Sequence, residues 1–186
     1  MTVAVKFKSR FTLAQTMQRL WTDHVVWKRQ YLLSALDDQP DMIEAAARLL
    51  RNQEEIGRLV EKYYGRKAGK RVTSVLKQHM LMVVDLIEAA KNVDRQKYHD
   101  IDATLQSNAQ DIADAFGDLN ESWVKTELSE MWSLHLELTK AQLTARLEEN
   151  YDRDVDTFDE ILTATLTIAD RLSDGIIQQF ADKFAA

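Results

Sequence analysis

The sequence predicts an all-α fold: an up-and-down bundle of about six long helices, arranged as three tandem hairpins of about 56 residues each. Three observations predict it. Only five Gly and one Pro occur in 186 residues, too few for the closely spaced turns of an all-β fold or the Gly-bearing connections of an α/β fold. Apolar residues recur with the helical period along nearly the whole chain. Short motifs also recur at a fixed interval, the mark of an internal repeat.

The helices follow in order from their start and stop signals. The first eleven residues are read as an N-terminal arm and 12–186 as one domain. Thr12 with Gln15 has the form of a capping box and opens the first helix, which runs to about Leu36 and stops before Pro40. Asp41 with Glu44 opens the second, which ends at Tyr64 with Gly65 in the C-terminal cap position. The third runs from about Lys67 to Lys91. Asp94 caps the fourth, which stops at Gly117. The fifth begins after Asn120 or at Glu127 and extends to about Glu149, and the sixth runs from about Asp154 towards Phe184. Gly57 falls inside the second helix on its inward side, where a missing side chain lets a neighbouring helix come close.

Composition excludes several functions. With 24 basic against 30 acidic side chains the net charge is −6, unsuited to a general nucleic-acid binder. The clusters Lys6-Lys8-Arg10 and Arg66-Lys67-Lys70-Arg71 read as solvated charge. No signal-peptide core is visible at the start, and no apolar run approaches the ~20 residues of a membrane span, so a cytoplasmic location is expected. The absence of Cys removes disulfides, thiolate metal sites and thiol nucleophiles. No phosphate-binding glycine loop and no nucleophile elbow is present.

The repeat puts histidines in register. Leu20-Trp21-Thr22-Asp23-His24, Val75-Leu76-Lys77-Gln78-His79 and Met131-Trp132-Ser133-Leu134-His135 align, each on the apolar stripe of an odd-numbered helix. On the even helices Asn52, Asn108 and Ala164 align. Antiparallel helices rise equally from their shared turn, so each His falls level with the Asn of its own hairpin. Three imidazoles and two amides are therefore expected to meet in one layer. Three neutral imidazoles with a carboxylate and an open position would suit Zn²⁺ or Fe²⁺. His24, His79, His135 and Asp111 are the candidate ligands, with Asn108, Asn52 and Glu55 as partners that would orient them. No His-x-x-x-His or Glu-x-x-His signature supports a metal, and a hydrogen-bonded core network is the competing reading. Trp21 and Trp132, each three residues before a histidine, would wall a pocket or fill the core. His99 is expected to be exposed. A metal ion, a small ligand and a second copy of the chain are the partners that the sequence admits. Whether it is an enzyme stays open.

Several segments resemble a family of uncharacterised bacterial all-helical proteins. They are Leu-Trp-Thr-Asp-His-Val-Val-Trp (20–27), Lys-Tyr-Tyr-Gly (62–65), Leu-Lys-Gln-His (76–79), Asn-Ala-Gln-Asp-Ile-Ala (108–113), Ser-Leu-His-Leu-Glu-Leu-Thr (133–139) and the closing 169–180 stretch. The resemblance implies bacterial origin and a helical fold, with His24, His79, Asn108 and His135 matching its motifs. It implies no activity. The labels glycosyltransferase and acetylglutamate kinase, often attached to such proteins, find no supporting residues here.

Overall fold

In the computed structural model, which describes residues 3–184, the backbone is almost wholly helical. Six long helices are present: α1 (Val3–Leu36), α2 (Met42–Tyr64), α3 (Arg66–Lys91), α4 (Arg95–Gly117), α5 (Lys125–Leu147) and α6 (Tyr151–Gln179). A single turn, α7 (Ala181–Phe184), follows and folds back onto α1 and α6. Each helix packs on the next, and α6 packs on α1, so the bundle closes into a ring. The connections are short and consecutive helices run antiparallel, which makes α1, α3 and α5 parallel to one another. No described helix is long and apolar enough to cross a membrane.

The three hairpins repeat down to the backbone of their turns. Asp38, Val93 and Glu149 each adopt a left-handed conformation, with φ of 52°, 56° and 56°. The next amide in each case reaches back to close the helix: Gln39 to Ser34 O, Asp94 to Ala89 O and Asn150 to Ala145 O, at 2.8–2.9 Å. This is the Schellman closure, made three times without glycine. Each left-handed residue lies 14 positions after its histidine.

Three boundaries and one cap depart from the sequence reading. α1 runs through the expected arm, because nothing in residues 3–11 breaks a helix and a continuing helix supplies the amide partners that Thr12 would otherwise provide. Asp41 precedes α2 but makes no side-chain cap; it accepts from Gln30 Nε2 instead, at 3.0 Å. α6 starts earlier than expected because Asn150 caps it by accepting from the Arg153 amide. Phe180 breaks its far end, leaving α7 separate. Asp94 caps α4 as read, accepting from the Lys97 amide at 3.0 Å.

Glycines bring α2 and α3 together. A Cβ on Gly57 would stand 2.8 Å from Gly69 O, and one on Gly69 would stand 2.7 Å from Gly57 O. The apolar interior falls into two clusters. One gathers Leu13, Met17, Leu20 and Trp21 with Trp123, Trp132 and Ile176. The other gathers Tyr31, Leu32 and Ala35 with Met80, Leu86 and Leu143, towards the hairpin turns. A polar layer separates them.

Candidate functional site: a buried His–Lys layer

The layer is built from the odd helices, braced by the even ones. His24, His79 and His135 are at most 1% exposed. Their rings meet: His24 and His135 centroids are 5.4 Å apart, and those of His79 and His135 are 6.5 Å apart. Trp21 and Trp132 complete a five-ring cluster. Their centroids lie 5.4 Å from each other, Trp21 is 5.5 Å from His24, and Trp132 is 5.7 Å from His135 and 5.8 Å from His79.

Each histidine leans its Nδ1 on a polar side chain of the following helix. His79 Nδ1 is 2.9 Å from Asn108 Oδ1, His135 Nδ1 is 3.1 Å from Thr165 Oγ1, and His24 Nδ1 is 3.3 Å from Gln53 Nε2. These contacts set the tautomers. Asn108 Oδ1 only accepts, so His79 carries its proton on Nδ1 and turns a lone pair out at Nε2. The Gln53 amide nitrogen, which also donates to Leu49 O at 3.0 Å and Asn52 Oδ1 at 3.1 Å, turns its protons and not a lone pair towards His24 Nδ1; this favours the His24 proton on Nε2, where it has no partner.

Lys28, one turn beyond His24, enters the same layer although it is charged. It is 2% exposed. Its ammonium donates to Thr139 Oγ1 at 2.6 Å and lies 3.4 Å from His135 Nε2. Thr139 in turn donates to the His135 carbonyl. The Lys28 contact fixes His135 with its proton on Nδ1, donating to Thr165. Burial lowers the Lys28 pKa from 10.5 to about 7. Burial likewise lowers all three histidines, with the Lys28 charge adding to it in each; His79, partly restored by Asn108, reaches about 4. All three imidazoles are neutral at pH 7.

The convergence of the three histidines and the bracing by Asn108 agree with the sequence reading. Other expected members lie elsewhere. Asp111 is exposed on α4, because the residue three positions after Asn108 turns away from the interior. Glu55 faces Arg48, with its carboxylate 3.4 Å from the guanidinium. Asn52 is buried but donates to the Leu20 carbonyl at 2.9 Å, while its neighbour Gln53 braces His24. On α6 the inward residue is Thr165 rather than Ala164. His99 is exposed, as expected.

Lys28 is the member that sequence reasoning missed. The i+4 spacing from His24 placed it on the buried stripe, and only its charge argued against it. With Lys28 present and no carboxylate, the donor set has changed character. His24 offers a proton rather than a lone pair, and the His135 lone pair is taken. Among the described residues no group of three or more His, Cys, Asp or Glu is placed to hold a metal ion.

Several buried polar atoms around the layer have no hydrogen-bond partner: Trp21 Nε1, Trp132 Nε1, His24 Nε2 and Gln53 Oε1. Three of these four carry a proton to donate.

No protein-family model matches the chain, and neither curated proteins nor solved structures give a significant match.

Proposed function

We propose that this chain is a ligand-binding helical bundle whose His–Lys layer takes up one small species in the core. One observation carries the reading: the layer buries a lysine that is about half protonated at neutral pH, and three N–H groups that have nothing to accept from them. An unsatisfied buried polar group costs about 1–3 kcal/mol, and an unpaired buried charge costs more. Strongly perturbed ionisable groups collect at functional sites, where burial and neighbouring charge tune them to a task. A layer kept only to fix helix register needs no such excess.

The second reading is a non-catalytic scaffold in which the layer is purely structural. It draws on the three Nδ1 contacts, which brace each hairpin from within. Native mass spectrometry of untagged protein, with a parallel titration by Zn²⁺ and Fe²⁺, separates the two. A bound mass or a saturating metal response, lost in His135→Ala, supports ligand binding. Apoprotein mass alone, no metal response and no effect of small ions on melting leave the scaffold reading standing. A metal near one equivalent per chain would restore His24, His79 and His135 as ligands, with Lys28 displaced.

A further inference from the structure

Charge balance in the layer narrows the ligand. Lys28 is buried, and its only bonds among the described residues are to Thr139 Oγ1 and His135 Nε2, both neutral. Among the described residues the one buried carboxylate, Asp154, is held by Arg29 at 2.6 and 2.9 Å and by Gln142 at 3.1 Å, and is committed there. Buried charges in folded proteins are normally paired. The ammonium brings three protons to two acceptors. Among the rings carrying the unpartnered protons, Trp21 touches both His24 and Trp132, and His24 and Trp132 both touch the His135 ring to which Lys28 is bonded. Indole N–H groups only donate and cannot ligate a cation. A metal ion would meet a positive charge here. Water would satisfy donors and leave the charge uncompensated.

We propose, resting on the ligand-binding reading above, that the layer binds one small monovalent anion of halide or nitrate size. The Lys28 ammonium is its counter-ion, and the N–H groups of Trp21, Trp132 and His24 supply donors. One positive charge selects one negative charge. Trp21, His24, Lys28, Trp132 and His135 are all at most 2% exposed, so an occupant held among them is shut off from solvent and must be small. Ring N–H groups and an ammonium in a water-poor site hold an anion more strongly than the same donors at a surface, because the surrounding dielectric is low.

The test uses the full chain in sodium gluconate, whose bulky anion cannot enter, with chloride or nitrate substituted at constant ionic strength. Melting temperature and the ³⁵Cl NMR line width are followed. The melting temperature should rise to a plateau with chloride or nitrate. Excess ³⁵Cl broadening should appear in the native chain, vanish on adding nitrate, and fall at least tenfold in Lys28→Met. Trp132→Phe keeps the ring and removes one donor, so it should weaken binding several-fold; it also serves as the comparison if Lys28→Met does not fold. Coincident melting in gluconate and chloride, with equal broadening in native and variant proteins, overturns the anion. A positive metal titration or a different bound mass alongside that result would leave ligand binding intact and remove only the anion. If none of the three measurements registers a ligand, both proposals fall.

Discussion

Lys28 is the side chain whose replacement separates cost from use. In salt-poor buffer at pH 6, below its pKa of about 7, its ammonium is held in the core without a counter-ion, and Lys28→Met exchanges it for an apolar chain of similar length. Urea unfolding of that variant should show a gain of about 1–4 kcal/mol, the range seen when buried charges are replaced by apolar residues. Equal or lower stability would mean that the charge is already compensated in the native protein. Asp154 gives the opposite sign. It is 1% exposed and fully engaged by Arg29 and Gln142, so Asp154→Ala leaves a guanidinium without its partner and should cost about 3–5 kcal/mol by the same assay. These two positions also mark the limit of what sequence could tell. His24, His79 and His135 were legible because an interrupted apolar stripe repeated at one interval. Lys28 lay on that stripe too, but charge is normally a sign of exposure. Gln53 and Thr165 were missed by one residue, since 100° of helix rotation is finer than an alignment of short motifs resolves.

Among the elements, the approach of α2 to α3 is the most sharply constrained. Gly57 and Gly69 each face the other's carbonyl at a distance no Cβ tolerates. Gly57→Ala should therefore push the helices apart and destabilise the chain by about 1–3 kcal/mol, despite the better helix propensity of Ala. A gain in melting temperature would show that the contact is slack. Gly65 differs in cause. Its φ of 84° and ψ of 168° lie in a region essentially restricted to glycine, with open space around the absent Cβ, so Gly65→Ala should cost about 1–3 kcal/mol, all of it backbone strain. Helix existence and order were legible from punctuation and periodicity. The starts of α1 and α6 were not, because Thr12 carries valid cap chemistry that a longer helix overruns, and Asn150 caps α6 a turn before Asp154.

For the whole molecule, the layer links folding to protons. The folded-state pKa values of His24, His79 and His135 lie below their ordinary value of 6.5, so below about pH 6.5 the unfolded chain binds protons that the folded chain refuses. Stability should fall as pH drops from about 6.5 towards 4, by about 3 kcal/mol from His79 alone. Lys28 acts in the same direction at higher pH: its contribution is full above about 10.5 and is lost as pH falls to about 7. Thermal melts from pH 8 to 4.5 check this, and a flat profile below pH 6.5 would contradict it. Because the layer lies between two apolar clusters within a closed ring, protonating it loosens both halves of the core together.

The three equivalent turns carry one more consequence. Lys28, Val83 and Thr139 each stand four residues after their histidine, so a near-threefold scaffold bears three different side chains at matching stations. Lysine reaches from the first station to threonine at the third, and valine fills the second. The permuted variant K28T/V83K/T139V keeps all three side chains and rotates them by one hairpin. If the stations are interchangeable, it should fold to the same helix content with a melting temperature within a few degrees of the parent, its lysine now extending from α3 towards α1. The bundle would then behave as a turntable on which the charged arm can be set at any of three positions.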